Sequence, residues 1–165
     1  MTPYDIVLTP RGIRFKGRVF PCSIGRTGTT STKREGDGAT PAGISRIAGC
    51  LYRPDRVAPP NEWAKPIRRY DCWSDDPTDP SYNQLVKSPH QFSHERLWRG
   101  DHLYDIVLLT DWNAPSPVPG LGSAIFMHRW RRPGYPTEGC IACRIDHIFW
   151  IATQAAPGTR LIISH

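Results

Sequence analysis

The apolar runs of this 165-residue chain are short, and segments rich in proline and glycine separate them. Residues 13–19 alternate between apolar and polar side chains, which is the period of a half-buried strand, and residues 5–9 are its predicted hairpin partner. Residues 104–110 and 123–128 are brief apolar runs bounded by turn residues, a pattern typical of central strands. These runs predict a mainly β domain.

Only one segment has a sustained helical period. Apolar side chains recur at i, i+3, i+4 and i+7 from Ile145, which predicts a helix over residues 144–155. Pro157 and Gly158 end it, and the apolar run at residues 160–164 predicts a closing strand.

The length fits a single domain over residues 1–165, which is large enough to bury about two-thirds of its unfolded surface. Residues 53–102 are rich in proline, tryptophan, histidine and charge, and they show no sustained period. Segments of this length are usually functional lids or disordered, and the tryptophans favour a packed segment. The sequence therefore predicts that residues 53–102 form a long ordered insertion or lid.

The net charge of +6, from 21 Lys and Arg against 15 Asp and Glu, fits an anionic partner. The basic residues are scattered, whereas nucleic-acid binders more often show a long basic stripe with interleaved aromatic residues. We therefore expect an acidic small substrate, not nucleic acid. No metal or cofactor is predicted.

The five cysteines occur at irregular spacing, which argues against a closed set of disulfides and favours reducing surroundings. No stretch approaches the ~18 apolar residues of a membrane span, and the N-terminal segment lacks the apolar core of a signal peptide. The sequence as written predicts a cytoplasmic protein; a periplasmic location is the alternative if a leader has been removed.

His128 and Cys140 are the residues that indicate a reaction class. The histidine ends an apolar run, and the cysteine follows Gly139 in the segment "PTEGC". A free thiol has a pKa near 8.5, so an imidazole that takes its proton creates the sulfur nucleophile. Gly139 has no β-carbon and allows a tight turn, where the N–H groups of Gly139 and Cys140 are candidate donors to an oxyanion.

The motifs "SAIFMH", "ATPAG" and "TEGC" followed by a helix resemble the L,D-transpeptidase catalytic domain, the YkuD-like family, in a short subgroup. The resemblance covers most of the chain and rests on the order and spacing of the motifs. It implies a β-sandwich-like fold and cysteine-dependent cleavage of the L,D-peptide bond between diaminopimelate and terminal D-alanine in peptidoglycan stem peptides.

The resemblance also implies the roles of individual residues. Cys140 is the nucleophile, His128 is the base, and Gly139 with Cys140 supplies oxyanion donors. The backbone carbonyl of Arg129 orients the imidazole. A carbapenem is expected to form an adduct with Cys140, because a strained acyl donor traps the thiolate.

The chain departs from the family motif at two positions: Glu138 replaces the usual histidine, and Ala142 replaces the usual arginine. A carboxylate beside the sulfur would oppose thiolate formation, so Glu138 is expected to point away from it or to bind a substrate amine. Recognition of the substrate carboxylate then falls to other arginines, because a guanidinium binds carboxylates in a bidentate manner. The residues predicted to line the substrate site are Arg129, Arg131, Arg132, Tyr135 and Arg144.

The sequence leaves open both the chemistry of the second cysteine and the acceptor of the reaction. Cys140 and Cys143 form a C-x-x-C, which is also the spacing of a dithiol redox site or of half a zinc site. His94 and Glu95 are further predicted cleft residues, through the subgroup resemblance alone. The missing export signal favours an L,D-carboxypeptidase of cell-wall recycling over a cross-linking L,D-transpeptidase.

Overall fold

The computed structural model describes residues 1–164, in which fifteen strands and one helix form a mainly β fold. The helix α1 spans Ile145–Gln154, close to its predicted bounds. The strands are β1 (Ile6–Thr9), β2 (Gly12–Phe15), β3 (Arg18–Phe20), β4 (Cys22–Ser23), β5 (Thr29–Thr30), β6 (Thr40–Pro41), β7 (Gly43–Tyr52), β8 (Lys65–Pro66), β9 (Asp71–Ser74), β10 (Leu85–Lys87), β11 (His94–Arg96), β12 (Ile106–Thr110), β13 (Phe126–Arg129), β14 (Ile141–Cys143) and β15 (Arg160–Ile163).

The strands form one large sheet and two small ones. The large sheet has the order β3-β2-β1-β15-β7-β12-β13-β14-β4, with β8 paired beside β7. A three-stranded sheet has the order β10-β9-β11, and β5 pairs with β6. None of the helices described over residues 1–164 has the length and apolar character needed to cross a membrane.

The two faces of the large sheet carry different cores. On β12, Ile106 and Leu108 join the main core, into which α1 packs its buried residues Ile148, Ile151 and Ala152. Val107 points to the other face, where it belongs to a second cluster with Phe126. Because side chains alternate along a strand, β12 and β13 are buried on both faces, as their apolar runs predict.

The predicted insertion at residues 53–102 carries β8 to β11 and packs against this second face. Ile67 and Leu97 are fully buried in the second cluster. The rings of Trp73 and Phe126 meet edge to face, with their centroids 5.0 Å apart. The three-stranded sheet is thus anchored on the large sheet by apolar contacts.

The strand predicted over residues 13–19 is in fact two strands. Lys16 and Gly17 both have positive φ angles, 46° and 76°, and they turn the chain between β2 and β3. Two consecutive positive φ values are typical of tight hairpin turns. The polar and apolar alternation continues through the turn, so the period alone did not reveal the break.

We predict that Leu97→Ala lowers the free energy of unfolding by about 2–5 kcal/mol, because it leaves a cavity in the second cluster. Leu85→Ala is the matched control: it changes the same residue type within the insertion, but Leu85 is 46% exposed. We expect the control to change stability by less than about 0.5 kcal/mol. Urea unfolding measures both, and equal costs would contradict the packing of the insertion.

Candidate active site

The pairing of β13 with β14 places His128 and Cys140 on the same face of the large sheet. The two strands are parallel, with Met127 opposite Ile141 and His128 opposite Ala142. Met127 and Ile141 enter the main core, so His128 and Ala142 face the other way. Cys140 lies two residues before Ala142, and both His128 and Cys140 line a cavity of about 430 Å³.

The imidazole of His128 is buried and oriented. Its Nδ1 lies 2.7 Å from the carbonyl oxygen of Arg129, to which it donates, and the ring packs edge-on against Tyr104. Nε2 therefore carries the free lone pair. Burial lowers the pKa of His128 to about 4, so the imidazole is neutral at physiological pH.

The thiol of Cys140 lies between two backbone groups. Its Sγ donates to the carbonyl oxygen of Ala124 at 3.1 Å and accepts from the N–H of Phe126 at 3.4 Å. Burial raises the pKa of Cys140 to about 12. The site therefore holds a neutral thiol and a neutral imidazole, whereas the sequence predicts an activated thiolate; loss of hydration disfavours both charged forms.

Gly139 occupies a position that only glycine fits without strain. Its φ is +143°, and a β-carbon there would lie 2.8 Å from the carbonyl oxygen of Ala39. Ala39 begins the "ATPAG" segment, so this segment packs directly against the turn that presents the cysteine. The N–H of Gly139 donates to Thr137 Oγ1 at 3.1 Å, and that hydroxyl donates to the Cys140 carbonyl at 2.6 Å. The Gly139 N–H is thus already bonded in the empty site.

The carboxylate of Glu138 lies on the outer part of the cavity wall. Its side chain is 77% exposed and pairs with the guanidinium of Arg26. The sulfur of Cys140 lies deeper, so the charge of Glu138 is directed toward solvent.

The structure separates the predicted arginines. Arg131 lines the cavity together with Tyr135, and its guanidinium lies 3.8 Å from Asp101. The guanidinium of Arg129 pairs with Asp105, and Arg132 stacks over the ring of Tyr135 on the outside. These contacts leave Arg131 as the arginine of this loop that faces the cavity.

Two further predicted residues lie away from the cavity wall. Arg144 precedes α1 and pairs with Asp146 in solvent. The Nδ1 of His94 lies 2.7 Å from the carbonyl oxygen of Phe92. On β11 it is the next residue, Glu95, that lines the cavity, as the alternation of a strand requires.

Several cavity residues were not predicted from the sequence. Lys33 is 5% exposed, pairs with Asp37 and lines the cavity. Burial raises the pKa of Glu95, and the buried Tyr104 lies beside it and beside His128. Glu95 is predicted at the cleft together with His94, through the subgroup resemblance, and it lines the cavity. Lys33 comes from a segment without a regular period, so no pattern pointed to it.

The second cysteine of the C-x-x-C lies on the opposite face of the sheet. Cys143 is fully buried in the main core with Ile141, and both Cys140 and Cys143 are free. This placement separates the two sulfurs by the sheet and disfavours a dithiol site. Over residues 1–164, no group of three or more His, Cys, Asp or Glu side chains is arranged to hold a metal ion.

We predict that Gly139→Ala costs at least about 3 kcal/mol of unfolding free energy, since it adds both backbone strain and a contact with the Ala39 carbonyl. Gly134→Ala is the control: its φ is +74°, but no atom lies within 4 Å of the added carbon. We expect the control to cost about 1 kcal/mol from strain alone. Urea unfolding compares the two, and a cost no larger at Gly139 would refute the close packing.

Comparison with known proteins supports the reading of this site. The model of one family, the L,D-transpeptidase catalytic domain (YkuD), matches residues 11–163. Neither a curated protein nor a solved structure matches the chain significantly. The family match spans nearly the whole chain and carries cysteine-dependent catalysis on peptidoglycan with it. The chain therefore belongs to the L,D-transpeptidase catalytic domain family.

Proposed function

We propose that the protein is an L,D-carboxypeptidase that removes the terminal D-alanine from peptidoglycan stem tetrapeptides through an acyl-enzyme on Cys140. The observation that carries the proposal is the shared cavity, which is lined by both Cys140 and His128. The Arg129 carbonyl orients the imidazole, and a general base oriented by a third group is what activation of a cysteine nucleophile requires.

The reaction proceeds in two steps. The Nε2 of His128 takes the thiol proton as the sulfur attacks the carbonyl carbon of diaminopimelate, and the N–H of Cys140 donates to the oxyanion. The imidazolium then protonates the amine of D-alanine as the peptide bond breaks, which leaves a thioester. In the second step His128 takes a proton from water, hydroxide adds to the thioester, and the thiolate leaves and regains the proton.

The neutral resting pair fits a nucleophile that is activated only with substrate in place. The thiol donates to the Ala124 carbonyl in the empty site, so its proton must turn toward His128 before attack. The N–H of Phe126 remains available to the sulfur after the proton has left, and a hydrogen bond to the thiolate favours that form. Attack and proton transfer are thus coupled in one site.

The charges of the cavity fit a substrate that carries both signs. Lys33 and Arg131 supply cations, and Asp75 and Glu95 supply carboxylates from the wall formed by the insertion. We assign Arg131 to the carboxylate of the leaving D-alanine, because it is the predicted arginine that faces the cavity. Diaminopimelate has both an ammonium and a carboxylate on its side chain, which match the remaining groups.

We propose water as the acceptor and the cytoplasm as the location. Water as the acceptor needs no second binding surface beside the cavity of about 430 Å³ that Cys140 lines. The five cysteines are all free, which fits a reducing compartment. Cross-linking by a second stem peptide uses the same acyl-enzyme and is the alternative outcome of the assay below. A carbapenem should acylate the same sulfur.

We predict that the protein converts a free tetrapeptide into a tripeptide, and that Cys140→Ala abolishes this product. Cys143→Ala is the control, because Cys143 lies in the main core on the other face. It should retain turnover per folded molecule. Mass spectrometry of the products measures both variants with the circular dichroism spectrum as a check on folding.

The outcomes of this assay are distinct. Equal loss of product from both variants would favour dithiol chemistry. A product of higher mass, formed when an amine or a second stem peptide is added, would favour transpeptidation over hydrolysis.

We also predict that kcat/KM stays constant from pH 8 down to about pH 5 and falls only as His128 is protonated, near its lowered pKa of about 4. The sign follows from the mechanism, since only the neutral imidazole can take the thiol proton. Initial rates across this range, at pH values where the protein remains folded, provide the test. A fall centred near pH 6.5 would contradict the burial of the imidazole.

A further inference from the structure

The carbonyl group that holds the Cys140 thiol belongs to an alanine in an unusual conformation. Ala124 has a φ of +52°, a left-handed value that residues with a β-carbon rarely adopt. It precedes β13 and therefore lies outside the strand ladder. Its carbonyl oxygen nevertheless lies 3.1 Å from the sulfur. Another part of the chain must hold Ala124 in place, because the left-handed form is not its own preference.

Asn83 provides that support. Its Oδ1 accepts the N–H of Ala124 at 3.0 Å and the indole N–H of Trp73 at 2.9 Å. Its Nδ2 donates to the carbonyl oxygens of Trp112 and Asn113, both at 3.0 Å. The side chain is buried, and all four of its hydrogen-bonding positions are used. One amide thus ties Ala124 to the insertion and to the loop after β12.

The two groups that contact the sulfur depend on different supports. Phe126 begins β13, and its pairing opposite Leu109 of β12 fixes its N–H. Ala124 has no such pairing, and its N–H bonds to Asn83. Removal of the Asn83 amide should therefore free the Ala124 carbonyl, which accepts the thiol proton. The N–H of Phe126, which donates to the sulfur, should stay in place.

We infer that Asn83 is a positioning residue for the nucleophile: through Ala124 it fixes the orientation of the Cys140 thiol in the site. The inference deepens the proposed function and rests on it for the effect on turnover. It assigns a role to the insertion as well, because Asn83 lies within residues 53–102 and is linked to the sulfur through a single residue, Ala124.

Loss of the Asn83 amide should make the thiol ionise more easily and yet make turnover slower. A hydrogen bond from the neutral thiol to the Ala124 carbonyl stabilises the protonated form, so its loss shifts thiol ionisation to lower pH. The same loss leaves the sulfur without a fixed orientation, so turnover falls. General destabilisation of the fold would not combine a lower midpoint of thiol ionisation with a lower kcat.

The test is Asn83→Gly against Asn113→Gly. Both asparagines have left-handed φ angles, 56° and 52°, so glycine removes the amide without backbone strain at either position. The Asn113 side chain bonds to Val118 and Gly122 and does not contact Ala124, which makes it a matched control. The readouts are the pH dependence of Cys140 alkylation by iodoacetamide, followed by peptide mass, and the steady-state constants for the tetrapeptide.

For Asn83→Gly we expect the alkylation midpoint to fall by about one pH unit, the size of one lost hydrogen bond to the neutral thiol. We expect kcat to fall about tenfold with KM within about twofold of wild type, because Asn83 does not line the cavity. Asn113→Gly should keep the wild-type midpoint and kcat. An unchanged midpoint in Asn83→Gly, or the same shift in both variants, would overturn the inference.

A second pair of variants covers the case in which Asn83→Gly does not fold. Ala124→Gly removes the backbone strain at position 124. The double variant Asn83→Gly with Ala124→Gly should therefore fold without the Asn83 amide. The double variant should have a lower alkylation midpoint than Ala124→Gly alone; equal midpoints would overturn the inference. The alkylation measurement needs no substrate, so it still tests Asn83 if the wild-type protein does not cleave the tetrapeptide.

Discussion

The parallel pairing of β13 with β14 is the constraint on which the site depends. The register that sets His128 opposite Ala142 also sends Met127, Ile141 and Cys143 into the main core. A slip of one residue would exchange these faces and turn His128 or Ala142 toward the main core. The apolar residues thus fix the register, and the register fixes which cysteine faces the cavity. Stability and function use the same strand pair.

Burial is the second determinant, and it acts on both partners in the same direction. The surroundings lower the pKa of His128 and raise that of Cys140, so these two groups form no ion pair at neutral pH. A neutral thiol is less exposed to adventitious oxidation or alkylation than a thiolate is. In the proposed reaction, activation comes from positioned groups, the Arg129 carbonyl on the imidazole and the Ala124 and Phe126 backbone on the sulfur.

The sequence predicted the strands and the helix in which apolar residues recur with one regular spacing. The runs at residues 104–110 and 144–155 match β12 and α1 closely, because apolar spacing reflects contact with a core. It did not predict the turn at Lys16 and Gly17, where alternation continues through a hairpin, or the place of Lys33, which long-range folding brings to the cavity. Arg144 shows that nearness in sequence does not bring a residue to the cavity. It is close to Cys140 along the chain, but its side chain pairs with Asp146 at the start of the helix.

The most direct test of the central claim is the protonation state of His128 in the empty enzyme, measured by nitrogen NMR of ¹⁵N-histidine-labelled protein with His128→Asn for assignment. The account predicts one neutral tautomer between pH 8 and pH 5, with the proton on Nδ1 bonded to the Arg129 carbonyl. An imidazolium signal at neutral pH that disappears in Cys140→Ala would show a preformed ion pair and would contradict it.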